Sequence, residues 1–310
     1  MKRIITSCAA LVGLLMVASG PTTMAAEKRL NVVATLSTFA DLAKTIGGDH
    51  IEVIAVASPR FNPHFIEPKP SDVLRVKRAE LFIHAGLDLE AWRSPLLDAA
   101  GNTRIFPAQD GELDLSRGIP LLEVPDRQVT RAEGDIHLFG NPHYWTDPEN
   151  GKRMAQAICD KLSTVDPAHA DDYHRNLHAF VDRLTQKEAE WRAKLAPLQG
   201  RELVGYHNEW PYLMRFAGLT MTQFLEPKPG IPPTPRQVEF IERYVKSKGI
   251  TVIVQPSYVP TQTAETIAKR TGSTVVTLCQ SVHELPACAD YVSTLDYNIT
   301  RLVAALGGGA

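Results

Sequence analysis

The stretch that decides the fold runs from Asp166 to Gly200 and reads DPAHADDYHRNLHAFVDRLTQKEAEWRAKLAPLQG. Asp166-Pro167 supplies an N-cap and a first-turn proline, and Pro197 marks the end of the pattern. Between them, large apolar residues recur at helical spacing on one side, with charged residues elsewhere. These apolar residues are Tyr173, Leu177, Phe180, Leu184, Trp191 and Leu195. The pattern predicts one helix of about 40 Å, at roughly 1.5 Å per residue, which would act as a stiff spine.

On the N-terminal side of this spine, short apolar strands alternate with amphipathic helices. Such strand–helix–strand units predict crossover connections and a largely parallel sheet. The pattern loosens between residues 100 and 135, where we expect strand fragments and loops. The predicted strands are 31–36, 51–57 and 81–85, and the predicted helices are 39–46, 71–78 and 149–162.

The C-terminal side repeats this alternation in outline. A proline-rich segment at 226–235 interrupts it, and we expect an ordered loop there because five prolines remove donors and fix φ. The predicted strands are 203–206, 250–254 and 274–278, and the predicted helices are one closing at Gly218-Leu219, 236–247, 262–271 and 290–306.

These patterns predict an α/β protein of two lobes, each with a mainly parallel sheet flanked by helices. The boundaries that we expect are 27–165 for the N-terminal lobe, 166–197 for the linking backbone helix and 198–310 for the C-terminal lobe. A ligand in such an architecture is expected in the cleft between the lobes, beyond the carboxyl ends of the strands.

The N-terminus has the layout of a secretory signal peptide. Lys2-Arg3 precedes an apolar run over residues 4–18, and a small-residue end follows at Thr23-Met24-Ala25-Ala26. The run is short for a membrane-spanning anchor, which is the alternative reading. We therefore expect residues 1–26 to be removed and the mature protein to be periplasmic.

Composition narrows the class of partner. The chain has 310 residues, 44% hydrophobic and 22% charged, with a formal net charge of -2. This is ordinary for a folded globular protein. A slightly negative chain gives no composition-level case for binding nucleic acid or an anionic membrane surface.

Three cysteines remain after removal of the leader. Cys159 falls within a helical apolar pattern, which predicts a buried small residue rather than a reactive thiol. Cys279 and Cys288 are close in sequence, and in an oxidising compartment such a pair can form a disulfide across a short loop. We predict that disulfide.

Three histidines stand in similar stiff settings far apart along the chain. His143 lies in GNPHYWTDP at residues 140–148, His64 in Asn62-Pro63-His64 and His207 in Gly205-Tyr206-His207. Each follows a predicted strand or a proline-stiffened loop, so all three can meet in the cleft. Neutral imidazoles suit zinc, and three of them need one more donor to complete a tetrahedron. From the residues alone, ordinary hydrogen-bonded or surface histidines remain the alternative.

Several motifs resemble those of one family. They are HFIEPKPSD at 64–72, AEL at 79–81 with GLDLE at 86–90, PHYWTDP at 142–148, the segment 207–219 and the closing stretch 290–298. In this order, over nearly the whole mature chain, they resemble the zinc/manganese-type (cluster 9, cluster A-I) substrate-binding proteins of bacterial metal ABC transporters. The resemblance implies two α/β lobes joined by a long helix, with one metal between them. It also implies that His64, His143 and His207 are ligands.

The fourth ligand is less defined. The family places an Asp or Glu late in the chain, and Asp290 is the nearest match here, so we predict Asp290. Gln255 stands where many relatives carry a carboxylate. The long His/Asp-rich loop of many zinc-uptake members is missing, and its compact replacement at 134–139 makes His137 an accessory candidate. Glu226, if the proline-rich loop folds over the cleft, and His283 remain alternative donors.

The resemblance implies a periplasmic zinc-binding protein that delivers its metal to an inner-membrane ABC transporter permease. We expect a monomer that is not an enzyme. The alternatives are a manganese-binding importer component, a periplasmic metallochaperone or partner of one, an adhesin, and a zinc hydrolase. Hydrolysis is disfavoured because the sequence has no HExxH motif and no evident general base beside the three histidines.

Overall fold

The computed structural model describes residues 28–126, 137–226, 228 and 230–307. The predicted signal peptide, 1–26, and residues 134–136 of the predicted compact loop lie outside these ranges. In the part of the chain described, no helix is long and apolar enough to cross a membrane.

Two four-stranded sheets form the framework, and every strand pair in them is parallel. The strand order is β2-β1-β3-β4 in the first sheet and β6-β5-β7-β8 in the second, so both sheets have the same topology. The strands are β1 Leu30–Ala34, β2 Ile51–Ala55, β3 Leu81–His84, β4 Glu112–Asp114, β5 Glu202–Gly205, β6 Thr220–Phe224, β7 Val252–Pro256 and β8 Thr274–Leu278. In each sheet the strand order reverses beside the first strand, β1 or β5, which is where open parallel sheets bind ligands.

Helices connect and cover the strands. They are α1 Ser37–Gly47, α2 Pro70–Arg78, α3 Arg93–Ala100, α4 Pro148–Val165, α5 Ala170–Leu195, α6 Pro211–Ala217, α7 Pro235–Lys248, α8 Gln262–Thr271 and α9 Tyr291–Gly307. The Asp147 side chain caps α4 by accepting a hydrogen bond from the Glu149 N–H, and Thr234 caps α7 through Gln237. The long helix α5 has 26 residues and follows a short 3₁₀ turn at Pro167–His169.

The structure confirms the predicted α/β class with two parallel sheets and a long helix. Two elements, β6 and α3, were not predicted, and β4 lies where only strand fragments and loops were expected. The edge strand β6 is mostly half-exposed, and β4 has only three residues. The helix α3 lies between the predicted strand 81–85 and the stretch after residue 100 in which strand fragments and loops were expected. The lobe boundaries stay a prediction.

The main hydrophobic core is continuous across the predicted lobes. One contiguous cluster includes Val33 of β1, Trp191 of α5, Leu302 of α9 and Trp210, the residue directly before α6. A smaller cluster lies within the second sheet and its helices, around Val204 and Ile253. The long helix packs against α1, α4 and α9, and α9 also packs against β8. Helices from both ends of the chain therefore share one core.

Candidate metal centre

The loop after β2 carries His64 at the surface of the molecule. The Asn62 side-chain oxygen accepts a hydrogen bond from the His64 N–H at 3.0 Å, which folds the loop into a tight turn. Trp92 anchors the loop by donating its indole N–H to the Pro63 carbonyl at 2.9 Å. The flanking residues Phe61 and Phe65 are 64% and 57% exposed. His64 itself is half-buried.

The segment before α4 carries His143 in the interior. Its local turn is the same, because the Asn141 side chain accepts a hydrogen bond from the His143 N–H at 3.0 Å. Its surroundings differ, since His143, Tyr144 and Trp145 are all essentially inaccessible to solvent. Tyr144 donates its hydroxyl to the Ala85 carbonyl beside β3 at 2.7 Å.

Residues of the second half fix the same segment from the other side. The Tyr212 hydroxyl of α6 donates to the Asn141 carbonyl at 2.8 Å, and Arg215 pairs with Asp147 at 2.8 Å. The Asn141 amide also donates to the Asn208 carbonyl at 3.0 Å. His143 is therefore held in place by both halves of the molecule.

His207 follows β5, the strand beside which the order of the second sheet reverses. It is 4% exposed. Its Nδ1 lies 2.9 Å from a carboxylate oxygen of Glu226, so the residue proposed from sequence as an alternative ligand supports a histidine instead. With Nδ1 engaged, Nε2 is the remaining nitrogen, and it is buried with no hydrogen-bond partner among the described residues.

His137 enters the site from the loop that precedes His143. Its Nδ1 lies 3.4 Å from Asp88, and the same carboxylate accepts the Leu138 N–H at 2.9 Å. Burial raises the pKa of Asp88, but its hydrogen bonds with His137 and Leu138 outweigh burial and lower it. As at His207, Nε2 is buried and finds no partner within the described chain.

Four imidazoles therefore converge on one point. One nitrogen from each of His64, His137, His143 and His207 can be chosen so that all four lie within 4.8 Å of one another. The Nε2 atoms of His64 and His143 are 3.4 Å apart. A tetrahedral zinc ion with Zn–N bonds of about 2.0–2.1 Å needs its ligand nitrogens about 3.4 Å apart. The separations among the four nitrogens exceed that spacing by at most about 1.4 Å, so the group is close to the size that a small cation needs.

The electrostatics keep two of these rings in the form that binds metals. Burial lowers the pKa of His64 well below its ordinary value, and the neighbouring His137 and His207 lower it further. The same causes lower the pKa of His143, to which His64 also contributes. A metal ion binds the neutral imidazole, so both rings are prepared for it.

Three aromatic residues, Tyr144, Trp145 and Trp210, lie close in sequence to His143 or His207. All three are buried. The Trp145 ring meets His143 edge-on, with 5.3 Å between ring centroids, and meets Phe39 of α1 at 5.7 Å. This apolar packing limits the access of water to the nitrogens.

The structure does not bring Asp290 to the group. Asp290 stands directly before α9, where its carboxylate accepts the Ser293 N–H at 2.6 Å and pairs with Arg183 at 3.0 Å. It caps a helix and ties that helix to α5. The sequence could not show this role because Arg183 is far away along the chain.

The other candidate donors also lie outside the group. His283 is exposed, as are His174 and His178 on α5. Gln255 is fully buried at the end of β7, and neither of its side-chain polar atoms has a partner among the residues described.

The predicted disulfide between Cys279 and Cys288 is not formed. Both residues are buried free thiols, like Cys159, in the described part of the chain. Hydrogen bonding with Cys288, together with burial, raises the pKa of the Cys279 thiol. The same hydrogen bond lowers the pKa of Cys288, so the two side chains are neighbours as predicted but are linked by a hydrogen bond instead of a covalent bond.

Comparison with known proteins assigns the chain to a family. The model of the family described as zinc-uptake complex component A, periplasmic (ZnuA) matches residues 32–305. The chain belongs to this family. The resemblance drawn from its motifs is thereby confirmed, and the chain is a metal-binding component of an ABC transporter, in a family of substrate-binding proteins rather than enzymes.

Members and relatives of this family carry names for different metals. The chain is 28% identical over 290 residues to the metal ABC transporter substrate-binding lipoprotein ScbA of Streptococcus cristatus, covering 90% of each chain. It is 26% identical to the manganese ABC transporter substrate-binding lipoprotein PsaA of Streptococcus mitis, covering 93% of each. It is 25% identical to the iron-binding protein YfeA of Yersinia pestis, covering 79% of this chain and 75% of YfeA.

Solved structures agree on the architecture. A crystal structure of ZnuA superposes with a TM-score of 0.76 at 25% identity, covering 90% of this chain and 99% of that one. The Mn²⁺ complex of FpvC from Pseudomonas aeruginosa superposes with a TM-score of 0.79 at 24% identity, covering 91% of this chain and all of that one, which shows the shared fold. Neither the relatives nor the fold determine which metal this chain carries.

Proposed function

We propose that this protein captures Zn²⁺ with the imidazoles of His64, His137, His143 and His207 and delivers it to the permease of an ABC importer. The observation that carries the proposal is the convergence of four histidine nitrogens within 4.8 Å of one another. His137, the accessory candidate from sequence, takes the place expected for Asp290. The location that we propose is the periplasm, as the N-terminal leader predicts.

The donor set favours zinc over manganese. Imidazole nitrogen suits zinc, whereas manganese prefers carboxylate, carbonyl and water oxygens. The group of candidate ligands among the described residues contains four imidazoles and no carboxylate. The two nearby carboxylates, Asp88 and Glu226, face Nδ1 atoms. Carboxylates in this position orient the rings and increase their basicity instead of binding the ion.

Manganese is the second candidate because several relatives are named for it. Against manganese, the order of affinities among divalent metals places Mn²⁺ well below Zn²⁺ for a site of nitrogen ligands. Handover to a metallochaperone or an adhesive role would use the same metal site. Hydrolysis has less support, since four imidazoles complete a tetrahedron and leave no position for a reacting water.

A competition titration tests the choice of metal. Chelator-stripped protein would be titrated with Zn²⁺ or Mn²⁺ against an indicator chelator at pH 7.5. We expect one Zn²⁺ per chain and a Zn²⁺ affinity at least about 1,000-fold above that for Mn²⁺, as the nitrogen donors imply. A His137→Asp variant should narrow this ratio by adding an oxygen donor, while His178→Ala on α5 serves as the control. Equal or tighter Mn²⁺ binding by the wild type would refute the zinc assignment.

A further inference from the structure

Gln280 is aimed at the metal centre by a rigid backbone. It follows β8, and its carbonyl accepts the indole N–H of Trp145 at 2.8 Å. Its own N–H donates to Glu284 at 2.8 Å. The preceding residue, Cys279, exchanges two hydrogen bonds of 2.8 Å with the Asn298 side chain of α9. With the main chain fixed by α9, Trp145 and Glu284, the direction of the side chain is set by the fold.

The Gln280 side chain contacts His143 at Nδ1, and not at the Nε2 that faces His64. The amide nitrogen lies 3.1 Å from His143 Nδ1, and the two residues are 2% and 0% exposed. In this orientation the amide oxygen is buried without a partner in the described chain. One carboxylate oxygen of the buried Glu209 is equally unpaired among these residues.

The orientation of this amide decides which nitrogen of His143 carries the ring proton. An amide N–H that donates to Nδ1 places the proton on Nε2, the nitrogen that faces His64 at 3.4 Å. A protonated Nε2 cannot bind a metal ion. A half-turn of the amide places its oxygen against Nδ1, which must then carry the proton and donate it.

The half-turn also gives the buried amide oxygen of Gln280 a hydrogen-bond partner. It gives the amide oxygen a donor in the imidazole N–H and moves the amide N–H groups to the side where the oxygen had none. Burial raises the pKa of the Glu209 carboxyl, and a hydrogen bond from the Gln280 side chain opposes that rise. A carboxylate accepts such a bond from an amide nitrogen and not from an amide oxygen.

We propose that Gln280 is a positioning residue for metal binding, whose amide oxygen accepts the Nδ1 proton of His143 and keeps Nε2 free for the ion. Gln280 would thus orient His143 through its Nδ1, as Asp88 orients His137 and Glu226 orients His207 through theirs. Unlike them it is neutral, so it sets the position of the proton without adding charge beside the most buried ligand. The inference rests on the proposed metal-binding function.

The first test is made on the metal-free wild type, so it does not depend on a metal being bound. Two-bond ¹H–¹⁵N correlation spectra of histidine-labelled protein at pH 7.5 report the tautomer of each ring, with His143→Ala providing the assignment. We expect His143 to carry its proton on Nδ1. A proton on Nε2 in the wild type would overturn the proposal, whatever the metal affinity.

The second test compares two substitutions of similar shape. Gln280→Met removes the acceptor, and we expect Zn²⁺ affinity to fall by about 10–100-fold, which is typical for loss of a group that orients a ligand. Gln280→Glu keeps an acceptor oxygen and should bind within about threefold of the wild type. Gln255→Met is the matched control, since it alters another buried glutamine at the end of a neighbouring strand.

The outcomes separate a positioning role from a structural one. Equal losses in Gln280→Met and Gln280→Glu, or an equal loss in Gln255→Met, would show that only packing had been disturbed and would overturn the proposal. Unchanged binding by Gln280→Met would also overturn it. Failure of the proposed function gives a different result, because His143→Ala would then bind Zn²⁺ like the wild type.

Discussion

The His64 loop and the His143 segment begin from the same local chemistry and end in different environments. Both are Asn-Pro-His sequences in which the asparagine side chain accepts the histidine N–H at 3.0 Å. The His143 segment is buried and fixed by Tyr212 and Arg215 from the second half of the chain. The His64 loop is anchored by an indole hydrogen bond from Trp92 and is flanked by exposed phenylalanines. The same local turn is thus tightly held in the His143 segment and less constrained in the His64 loop.

This difference suggests how a protein that must hold a metal can also release it. Release needs one ligand to withdraw without unfolding the rest, and elements with few buried contacts move most readily. The His64 loop meets that requirement, and the His143 segment does not. The predictions below test this division of roles, beginning with the largest expected effect.

The most direct test removes each imidazole in turn. For His143→Ala we expect Zn²⁺ affinity to fall by at least about 100-fold, a typical share for one of four ligands. His64→Ala should lose less, about tenfold, because water can replace a half-buried ligand but not a buried one. Isothermal competition titrations measure both, with His178→Ala as the control. Equal losses of Zn²⁺ affinity at the two positions would contradict the distinction between a rigid His143 segment and a less constrained His64 loop.

The pH dependence follows from the lowered pKa values of His64 and His143. Unfolded imidazoles take up protons below about pH 6.5 while these two remain neutral in the folded protein. The metal-free protein should therefore lose stability as the pH falls from about 6.5 towards the lowered folded-state values.

The same shifts limit the protons that Zn²⁺ displaces. Because burial lowers the pKa of His64 and His143 well below its ordinary value, we expect these two rings to release few protons near pH 6 and metal binding to release about two protons or fewer from the four-imidazole site. Calorimetry in buffers of different ionisation enthalpy counts these protons. Release of three or four would show that the two rings are not held neutral.

A smaller effect should separate the anchors of the two segments. Trp92→Phe removes the hydrogen bond to Pro63, and we expect Zn²⁺ to dissociate about fivefold faster through a looser His64 loop. Tyr212→Phe removes the hydrogen bond to Asn141 of the His143 segment and the one from Leu122, and it should lower the unfolding free energy by about 1 kcal/mol without changing the dissociation rate. Stopped-flow chelator chase and thermal denaturation measure the two quantities. Faster Zn²⁺ dissociation from Tyr212→Phe would show that the His143 segment also controls release, which would contradict this division of roles.

The smallest effect on binding is expected at Asp290. Asp290→Ala removes the cap of α9 and the pair with Arg183, so we expect a loss of about 1 kcal/mol in stability. Zn²⁺ affinity should stay within about twofold of the wild type, because the carboxylate is not in the histidine group. A loss comparable to that of His64→Ala would restore Asp290 as a ligand.

Sequence patterns predicted most of the framework because it depends on local periodicity. The helices α4, α5 and α8 and the inner strands all show apolar residues at the spacing of their own element. The edge strand β6 escaped prediction because it is only partly buried and so has a weak apolar pattern. The three spaced histidines were recognisable because a proline or a strand stiffens each approach.

What the sequence could not supply were the relations between distant residues. His137 was only an accessory candidate, since its place beside the other rings depends on Asp88 holding its loop. Asp290 and the Cys279–Cys288 pair were assigned by analogy and by spacing. The partner of Asp290 is Arg183, which the packing of α9 against α5 brings near and which local patterns do not reveal.

The closing helix has a consequence for how the chain folds. Tyr291, at the start of α9, donates its N–H to Asp41 of α1 across 250 residues of sequence, and the Val282 carbonyl accepts the Ser37 hydroxyl across 245. The first sheet and its helices therefore cannot complete their packing until the last tenth of the chain is available. We expect the two lobes to fold as one late, cooperative event rather than in succession during synthesis, so that truncation before α9 would leave both unfinished.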